Sequence, residues 1–398
     1  MAFSVLLRAT PAFAQWDMPP PEASRLRLRI GPLTINPTIG LTNIGFDSNV
    51  FNAPANVDPK GDFTFTVTPA ASFRAPMFRT LVTARVAEDL VWYHTYGSER
   101  AANNDSRIGW RIPFNRVMFN LNARHTTIRD RPGFEIDARL QRTESAYDGL
   151  MEVRVMPKTF VGITAQRLRT DYGNDAVVGG TDYRFQLNRV TSGAGVSLRY
   201  KLTPITSVSL VANRTADRFE FSSLRDSNST VASAVIAFDP LGILSGSATI
   251  GYTVFSVLTP GVPRYVGPTG AVNVSYRLLG NMQIGVGATR NVQYSFEINE
   301  PYYLQTGFSA SVTRTVVGPL DAVVRGAMYD LAYRDREGTV IDVLNRVDTV
   351  YNYGIGAGYH FGKGVRLGFN VDEARRLSAT PSRQYAGLRF GSSVTYGF

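Results

Sequence analysis

Three histidines and no cysteine limit the chemistry that this 398-residue chain can perform. His94 precedes a segment that contains Asp105, and His125 lies near Asp130, so each could form the Asp–His pair that activates water in some hydrolases. No serine-containing nucleophile motif accompanies either histidine, and a polar side chain at a strand end is the simpler interpretation. Because no second His or Cys stands at ligand spacing, we predict no metal site and no cofactor.

Arginines recur at one or two per segment and fall on the polar side of a period-two pattern. A ring of basic side chains in a narrow channel raises the local concentration of anions. The alternative, which the sequence leaves open, is that these arginines pair with some of the 32 acidic residues and only stabilise the wall. The predicted pore-lining set is Arg107, Arg111, Arg124, Arg154, Arg199, Arg277, Arg325, Arg366 and Arg389.

These arginines stand in segments where apolar and polar residues alternate, the pattern of strands with two different faces. In residues 347–361, glycines at 354, 356 and 358 oppose a row of apolar and aromatic residues. Glycines at period two do not precede a helix, so they lack the geometry of a dinucleotide-binding loop. We expect them, with Gly285 and Gly287, to clear space on an inner wall.

Eight short segments rich in Pro, Gly or Asn divide the chain at nearly regular intervals. Longer polar stretches lie between them, and short turns alternating with long loops are typical of an outer-membrane barrel. The sequence therefore predicts an all-β fold, a closed antiparallel transmembrane barrel of about 18 strands with periplasmic turns and extracellular loops. Strand 1 is expected over Leu33–Phe46 and the last strand over Gln384–Phe398. A soluble propeller or sandwich is the rival fold.

The last residues favour the membrane barrel over the soluble rival. Val394, Tyr396 and Phe398 are spaced two apart and share one face of a strand. An apolar face and a free edge would promote aggregation in water, but not where lipid covers the face and the first strand pairs with the edge. The segment resembles the C-terminal recognition signal of bacterial outer-membrane barrels. That resemblance implies binding to the barrel-assembly machinery.

Two groups of charges bear on this prediction. Glu88 interrupts the apolar row of residues 82–92, so we expect a bulge there or a position in the lipid headgroup region. The formal net charge of +10 suggests nucleic acid, but the arginines form no clustered stripe, so no nucleic-acid partner is predicted.

The chain is expected to divide into three parts. Residues 1–14 have an apolar run and a small-x-small site, Ala12-Phe13-Ala14, and are interpreted as a truncated signal peptide. Residues 15–32, which contain Pro19 to Pro21, are interpreted as a periplasmic tail. Residues 33–398 form the predicted barrel in the bacterial outer membrane, with membrane lipid as its surroundings.

A short motif after the first strand comprises Gly45, Phe46, Asp47, Ser48, Asn49, Val50 and Phe51. It resembles the opening of the putative β-barrel porin type 2 family. Relatives of this group are similar to proteins found near exopolysaccharide synthesis and export systems. The resemblance therefore implies a general porin or a polysaccharide-related role, and it transfers no catalytic residue. The residues alone suggest only that the motif caps the turn from strand to loop.

The functional hypothesis is passive diffusion of small hydrophilic, anionic solutes through the barrel. A barrel of about 18 strands leaves an aqueous channel unless loops fold inward, and residues 129–144 and 170–188 are the longest candidates for a plug. The alternatives are an accessory barrel for exopolysaccharide export, with polysaccharide as its partner, and an outer-membrane enzyme.

Overall fold

Nearly every element in the computed structural model is a β-strand, over the described residues 28–239, 242–339, 343–362 and 364–396. Those residues include one short α-helix, α1 (Tyr183–Leu187), and no helix among them is long and apolar enough to cross a membrane. The strands are β1 (Leu28–Ile30), β2 (Leu33–Asp47), β3 (Asp62–Met77), β4 (Thr80–Tyr93), β5 (Ala101–Pro113), β6 (Val117–Asp130), β7 (Leu140–Met156), β8 (Thr159–Tyr172), β9 (Val177–Val178), β10 (Thr181–Asp182), β11 (Arg189–Thr203), β12 (Thr206–Phe219), β13 (Ser227–Phe238), β14 (Leu244–Val257), β15 (Tyr265–Leu278), β16 (Met282–Tyr294), β17 (Tyr302–Val317), β18 (Leu320–Arg334), β19 (Val347–Phe361), β20 (Val365–Leu377) and β21 (Tyr385–Tyr396).

Strands β2–β8 and β11–β21 form one closed antiparallel barrel of 18 strands, which confirms the predicted fold. Successive strands pair along the chain, and β8 pairs with β11. The ring closes where β2 pairs with β21, with Ile39 opposite Tyr396 and Asp47 opposite Arg389. β1, at the end of the predicted tail, folds back on β2, and β9 pairs with β10. Phe398 and the predicted signal peptide lie outside the described residues.

The two ends of the barrel differ in the length of their connections. At one end, eight connections of two to five residues join the strands, at the positions where the sequence predicts turns. At the other end, nine connections of seven to sixteen residues join them. We call these the turn end and the loop end.

The register of the strands determines which side chains face outward and which face the lumen. Leu198, Leu210 and Ile250 stand on the outer face and are 46%, 58% and 71% exposed. They belong to rows of apolar side chains that cover the outside of the barrel, as expected for a wall solvated by hydrocarbon. The opposite face carries polar residues and glycine, and loop residues pack against it. It is therefore the face of the lumen.

A bulge in β2 shapes the closing seam. The register shifts between Thr42 and Gly45, and Asn43 adopts a left-handed backbone conformation with φ of 54°. A Cβ on Gly45 would lie 2.0 Å from the main-chain oxygen of Phe390 in β21. Only glycine lets the two strands approach this closely, which is a structural reason for the first residue of the family motif.

The bulge expected at Glu88 is wrong. The register of β4 with β5 runs without a shift through Glu88, which stands opposite Asn104. Asn104 Nδ2 donates a hydrogen bond of 2.9 Å to Glu88 Oε2 on the outer face. Ser106 and His125 continue this polar row toward the turn end, so the carboxylate has polar neighbours rather than an isolated place in the apolar wall.

Candidate pore and its closed mouth

Residues 131–139, which join β6 to β7, fold into the barrel and cross the lumen. We call this segment the crossing loop. Its Phe134 packs against side chains of β17, β18 and β19, on the opposite wall. One of the two long loops suggested as a plug from the sequence therefore lies across the mouth at the loop end.

An aromatic cluster holds the centre of the crossing loop. Phe134 stacks on Tyr329 with 4.5 Å between ring centroids, and it packs with Tyr303, Leu331 and Tyr333. Leu331 and Tyr333 are fully buried although they face the lumen. The apolar surface that this cluster removes from water stabilises the closed arrangement.

Arg376 on β20 fixes the same loop by hydrogen bonds. Its Nη1 donates to the main-chain oxygen of Phe134 at 3.0 Å and to Asp137 Oδ2 at 3.3 Å, while Nη2 donates to Asp348 Oδ2 at 2.5 Å. Arg376 and Asp348 are both 0% exposed. Burying an ion pair costs desolvation energy, and breaking a buried pair leaves an uncompensated charge. The contact therefore stabilises a single position of the crossing loop.

Glu135 joins the crossing loop to the connection between β16 and β17. Its carboxylate accepts hydrogen bonds from Ser295 Oγ at 2.5 Å and from the Phe296 amide at 3.1 Å. Burial raises the pKa of Glu135 to about 7, although the Ser295 hydrogen bond opposes that shift. The group therefore changes charge near neutral pH.

The family motif provides the fourth attachment of the crossing loop. Arg131 and Arg139 of the crossing loop donate to the main-chain oxygen of Val50 at 2.6 and 3.1 Å. The Asn49 side chain holds the motif loop by hydrogen bonds to Ala53 and to the main-chain oxygen of Ala386 in β21. The motif thus does more than cap a turn, because it also holds the crossing loop.

A second long loop closes the mouth from the side. The connection from β8 to β11 carries α1, whose Tyr183 and Leu187 pack against Ile136 and Leu140 beside the crossing loop. Asp182 caps the helix by accepting from the Arg184 amide at 3.0 Å. Both predicted plug segments therefore contribute to the closed mouth.

All nine predicted pore-lining arginines stand on the lumen face in the register. Six of them pair with carboxylates on the same face. The pairs are Arg107 and Arg124 with Asp105, Arg199 with Glu152, Arg325 with Asp372, Arg366 with Asp321, and Arg389 with Asp47. The pairing alternative therefore holds for these six arginines.

The other three arginines are Arg111, Arg154 and Arg277, and each lies within a few residues of the turn end. Within the described part of the chain, no carboxylate lies within ion-pair distance of any of them, and all three are exposed. Arg74 and Lys201, which the prediction omitted, share this face and this end. We call these five residues the turn-end basic set.

The histidines do not form the suggested Asp–His pairs. His125 faces outward and lies 3.1 Å from Ser145 Oγ, whereas Asp130 faces the lumen and pairs with Arg142. His94 follows β4, and Asp105 is held by two arginines. His125 and Ser145 are within hydrogen-bond distance on the outer face, but among the described residues no carboxylate pairs with this histidine to orient it as a base.

The glycines of β19 make room for lumen side chains. A Cβ on Gly354 would lie 2.0 Å from Asp372 Oδ1, and one on Gly356 would lie 2.1 Å from Asn370 Oδ1. A Cβ on Gly358 would lie 2.3 Å from the guanidinium of Arg366. The glycine row therefore lets the Arg325–Asp372 and Arg366–Asp321 pairs lie flat against the wall.

The residues that hold the mouth closed are not among the predicted site residues. Arg376 shares the parity of Arg366 on β20, so the period-two pattern could have included it. One nine-residue loop contains three charged residues, Arg131, Glu135 and Arg139. Such a concentration of charge indicates a loop that forms hydrogen bonds or ion pairs with other segments. Ser295 carries no such signal.

A family model described as "Putative beta-barrel porin 2" matches residues 26–398. Among solved structures, a BenF-like porin from Pseudomonas fluorescens Pf-5 is similar, with a TM-score of 0.51, 10% identity, and coverage of 92% of this chain and 99% of that chain. The outer membrane protein opdK from Pseudomonas aeruginosa gives a TM-score of 0.48, 12% identity and coverage of 91% and 98%. OccAB4 from Acinetobacter baumannii gives a TM-score of 0.47, 9% identity, and coverage of 91% of this chain and 97% of that chain. No curated protein matches the chain.

Proposed function

We propose that this chain, which belongs to the Putative beta-barrel porin 2 family, is a passive outer-membrane channel for small hydrophilic anions. The family and the barrel fold indicate a bacterial outer-membrane porin and a channel rather than an enzyme. The turn end then faces the periplasm and the loop end faces outward. The solute preference and the passive mechanism are the new part of this proposal.

The turn-end basic set is the observation that carries the preference. Arg111, Arg154 and Arg277 are exposed in the lumen and lie on different parts of its circumference, on β5, β7 and β15. Positive charge distributed around an aqueous passage, without paired carboxylates, concentrates anions there. The six paired arginines contribute about one net positive charge to this field, because five carboxylates neighbour them and Asp105 is shared by Arg107 and Arg124.

Export of a polysaccharide is the second candidate function, and the closed mouth favours it. An accessory barrel would need a partner to displace the crossing loop, so the purified barrel would conduct little alone. A passive channel instead conducts during brief displacement of the crossing loop, without a partner.

Planar-bilayer recording in a KCl gradient tests the channel. We expect measurable conductance and a reversal potential displaced toward that of chloride. In a variant with Arg111→Gln, Arg154→Gln and Arg277→Gln, the displacement should fall toward zero, because three lumen charges are removed.

The matched control is Arg314→Gln, which removes an arginine from the outer face of β17 at the same end of the barrel. It should leave the reversal potential unchanged. An unchanged potential in the triple variant would contradict the anion preference, and absence of conductance would favour the export role.

A further inference from the structure

Four arginines form a basic patch on the outside of the barrel, separate from the lumen. Arg167 and Arg169 on β8 share the outer face with Arg214 and Arg218 on β12. The register places Arg169 level with Arg218, through Val190 of the strand between them. Carboxylates lie within 4.0 Å of Arg169 and Arg218, so the excess positive charge of this side of the wall lies on Arg167 and Arg214.

The two upper arginines already have partners. Arg169 pairs with Asp171 at 2.8 Å, and Arg218 donates to the main-chain oxygen of Ser227 at 2.9 Å and to Asn228 Oδ1 at 3.0 Å. Arg167 and Arg214 are exposed, and among the described residues neither has a hydrogen bond or an ion pair. Their guanidinium groups are free to bind an anion.

An apolar groove of 820 Å³ lies on the outer wall directly beneath Arg214. Small side chains form its floor, among them Ala212, Ala232 and Ala234, and larger ones such as Leu198 and Ile250 border it. In the register, Arg214 stands one outer-face row above Ala212 and toward the loop end. Arg167 stands on the row above that, on β8.

We propose that this surface binds a phosphorylated glycolipid of the outer leaflet, with a phosphate held by Arg167 and Arg214 and an acyl chain in the groove. Guanidinium groups bind phosphate through bidentate, charge-assisted hydrogen bonds. The Cα atoms of the two arginines are about 12 Å apart, across two inter-strand spacings and one row along the strand, which two long side chains can bridge to one phosphorylated headgroup. The loop end faces outward, so the patch lies at the level of the outer leaflet's headgroups.

Charge complementarity selects this occupant over a second copy of the chain. A symmetric dimer through this face would bring the basic patches of two copies together, which is unfavourable. An anionic lipid satisfies both the free guanidinium groups and the apolar groove.

Native mass spectrometry of the delipidated barrel in detergent, titrated with diphosphoryl lipid A, tests the assignment. We expect one tightly bound lipid, and a loss of affinity of at least about tenfold in Arg167→Gln/Arg214→Gln, because two charge-assisted contacts are removed. A second variant, Ala212→Phe/Ala232→Phe, fills the groove and should weaken binding while leaving the arginines in place.

Arg314→Gln serves again as the control, since it removes an outer arginine at the turn end, and it should bind lipid A as the native protein does. Circular dichroism confirms that each variant remains a folded barrel. Unchanged binding by the arginine variant, or equal affinity for phosphatidylglycerol, would overturn the proposal.

Discussion

At the loop end of the lumen, charged side chains are buried and joined to one another, whereas at the turn end they are exposed and mostly unpaired. Arg376 and Asp348 are 0% exposed and hold a loop in place. Arg111 and Arg277 extend into the lumen without carboxylate partners in the described ranges. The same residue type therefore stabilises a closed structure at one end and provides an electrostatic field at the other, and burial decides which.

The largest effect is expected from Arg376→Ala, which should turn the loop end into an open mouth. The substitution leaves buried Asp348 with the more distant guanidinium of Arg346, at 3.7 Å, at a cost of up to about 3–5 kcal/mol, and it frees the oxygen of Phe134. Single-channel conductance should rise, and trypsin should cleave at Arg131 or Arg139 in the released crossing loop.

Arg375→Ala on the outer face of the same strand is the matched control, and it should preserve both the conductance and the resistance to trypsin. If Arg376→Ala conducts as the native channel does, the crossing loop is not what restricts the mouth.

A smaller effect should follow from pH, acting on the loop end alone. The pKa of Glu135 rises from 4.5 to about 7 on docking because the carboxyl group is buried. Protonation of Glu135 therefore favours the docked loop. Its contribution to the stability of the docked loop is complete below pH 4.5, and up to about 3 kcal/mol of that contribution is lost as the pH rises through about 7. Conductance should accordingly be lower at pH 5 than at pH 8.

Glu135→Gln cannot titrate and should show little change of conductance over the same range, with the loop docked throughout. The selectivity set by the arginines at the turn end should not vary with pH. A pH response that persists in Glu135→Gln would assign it to another group.

The smallest effect is expected from leaving one more positive charge near the turn end without a carboxylate partner. Asp321→Asn removes the carboxylate that accepts from Arg366 at 2.6 and 2.8 Å, and so adds one uncompensated positive charge to the lumen. The reversal potential should move further toward that of chloride, by about a third of the change in the triple variant, since one charge changes rather than three.

Asp330→Asn, on the outer face where the carboxylate accepts from Thr349, should leave the potential where it is. A shift of the same size in both variants would show that net charge, rather than charge in the lumen, determines the selectivity.

The barrel was predictable because its signals are local. Alternation along β19 and the Gly318-Pro319 turn each require only neighbouring residues, and both have the predicted roles. The outcome for each arginine was not predictable, because Arg199 reaches Glu152 across β8 and that contact depends on the register of three strands.

The closed mouth was predictable only as a set of candidate segments. The contact of Arg376 with Phe134 joins residues 242 positions apart, and nothing in either neighbourhood specifies the other. The expected bulge at Glu88 failed for a related reason. A strand can retain a carboxylate on its outer face when an adjacent strand offers Asn104 as a donor, and single-strand patterns do not show that neighbour.

The crossing loop is attached to Val50 near the start of the chain and to Arg376 near its end. Both attachment points come into position only after the first and last barrel strands meet. Full seating of the crossing loop therefore follows closure of the barrel.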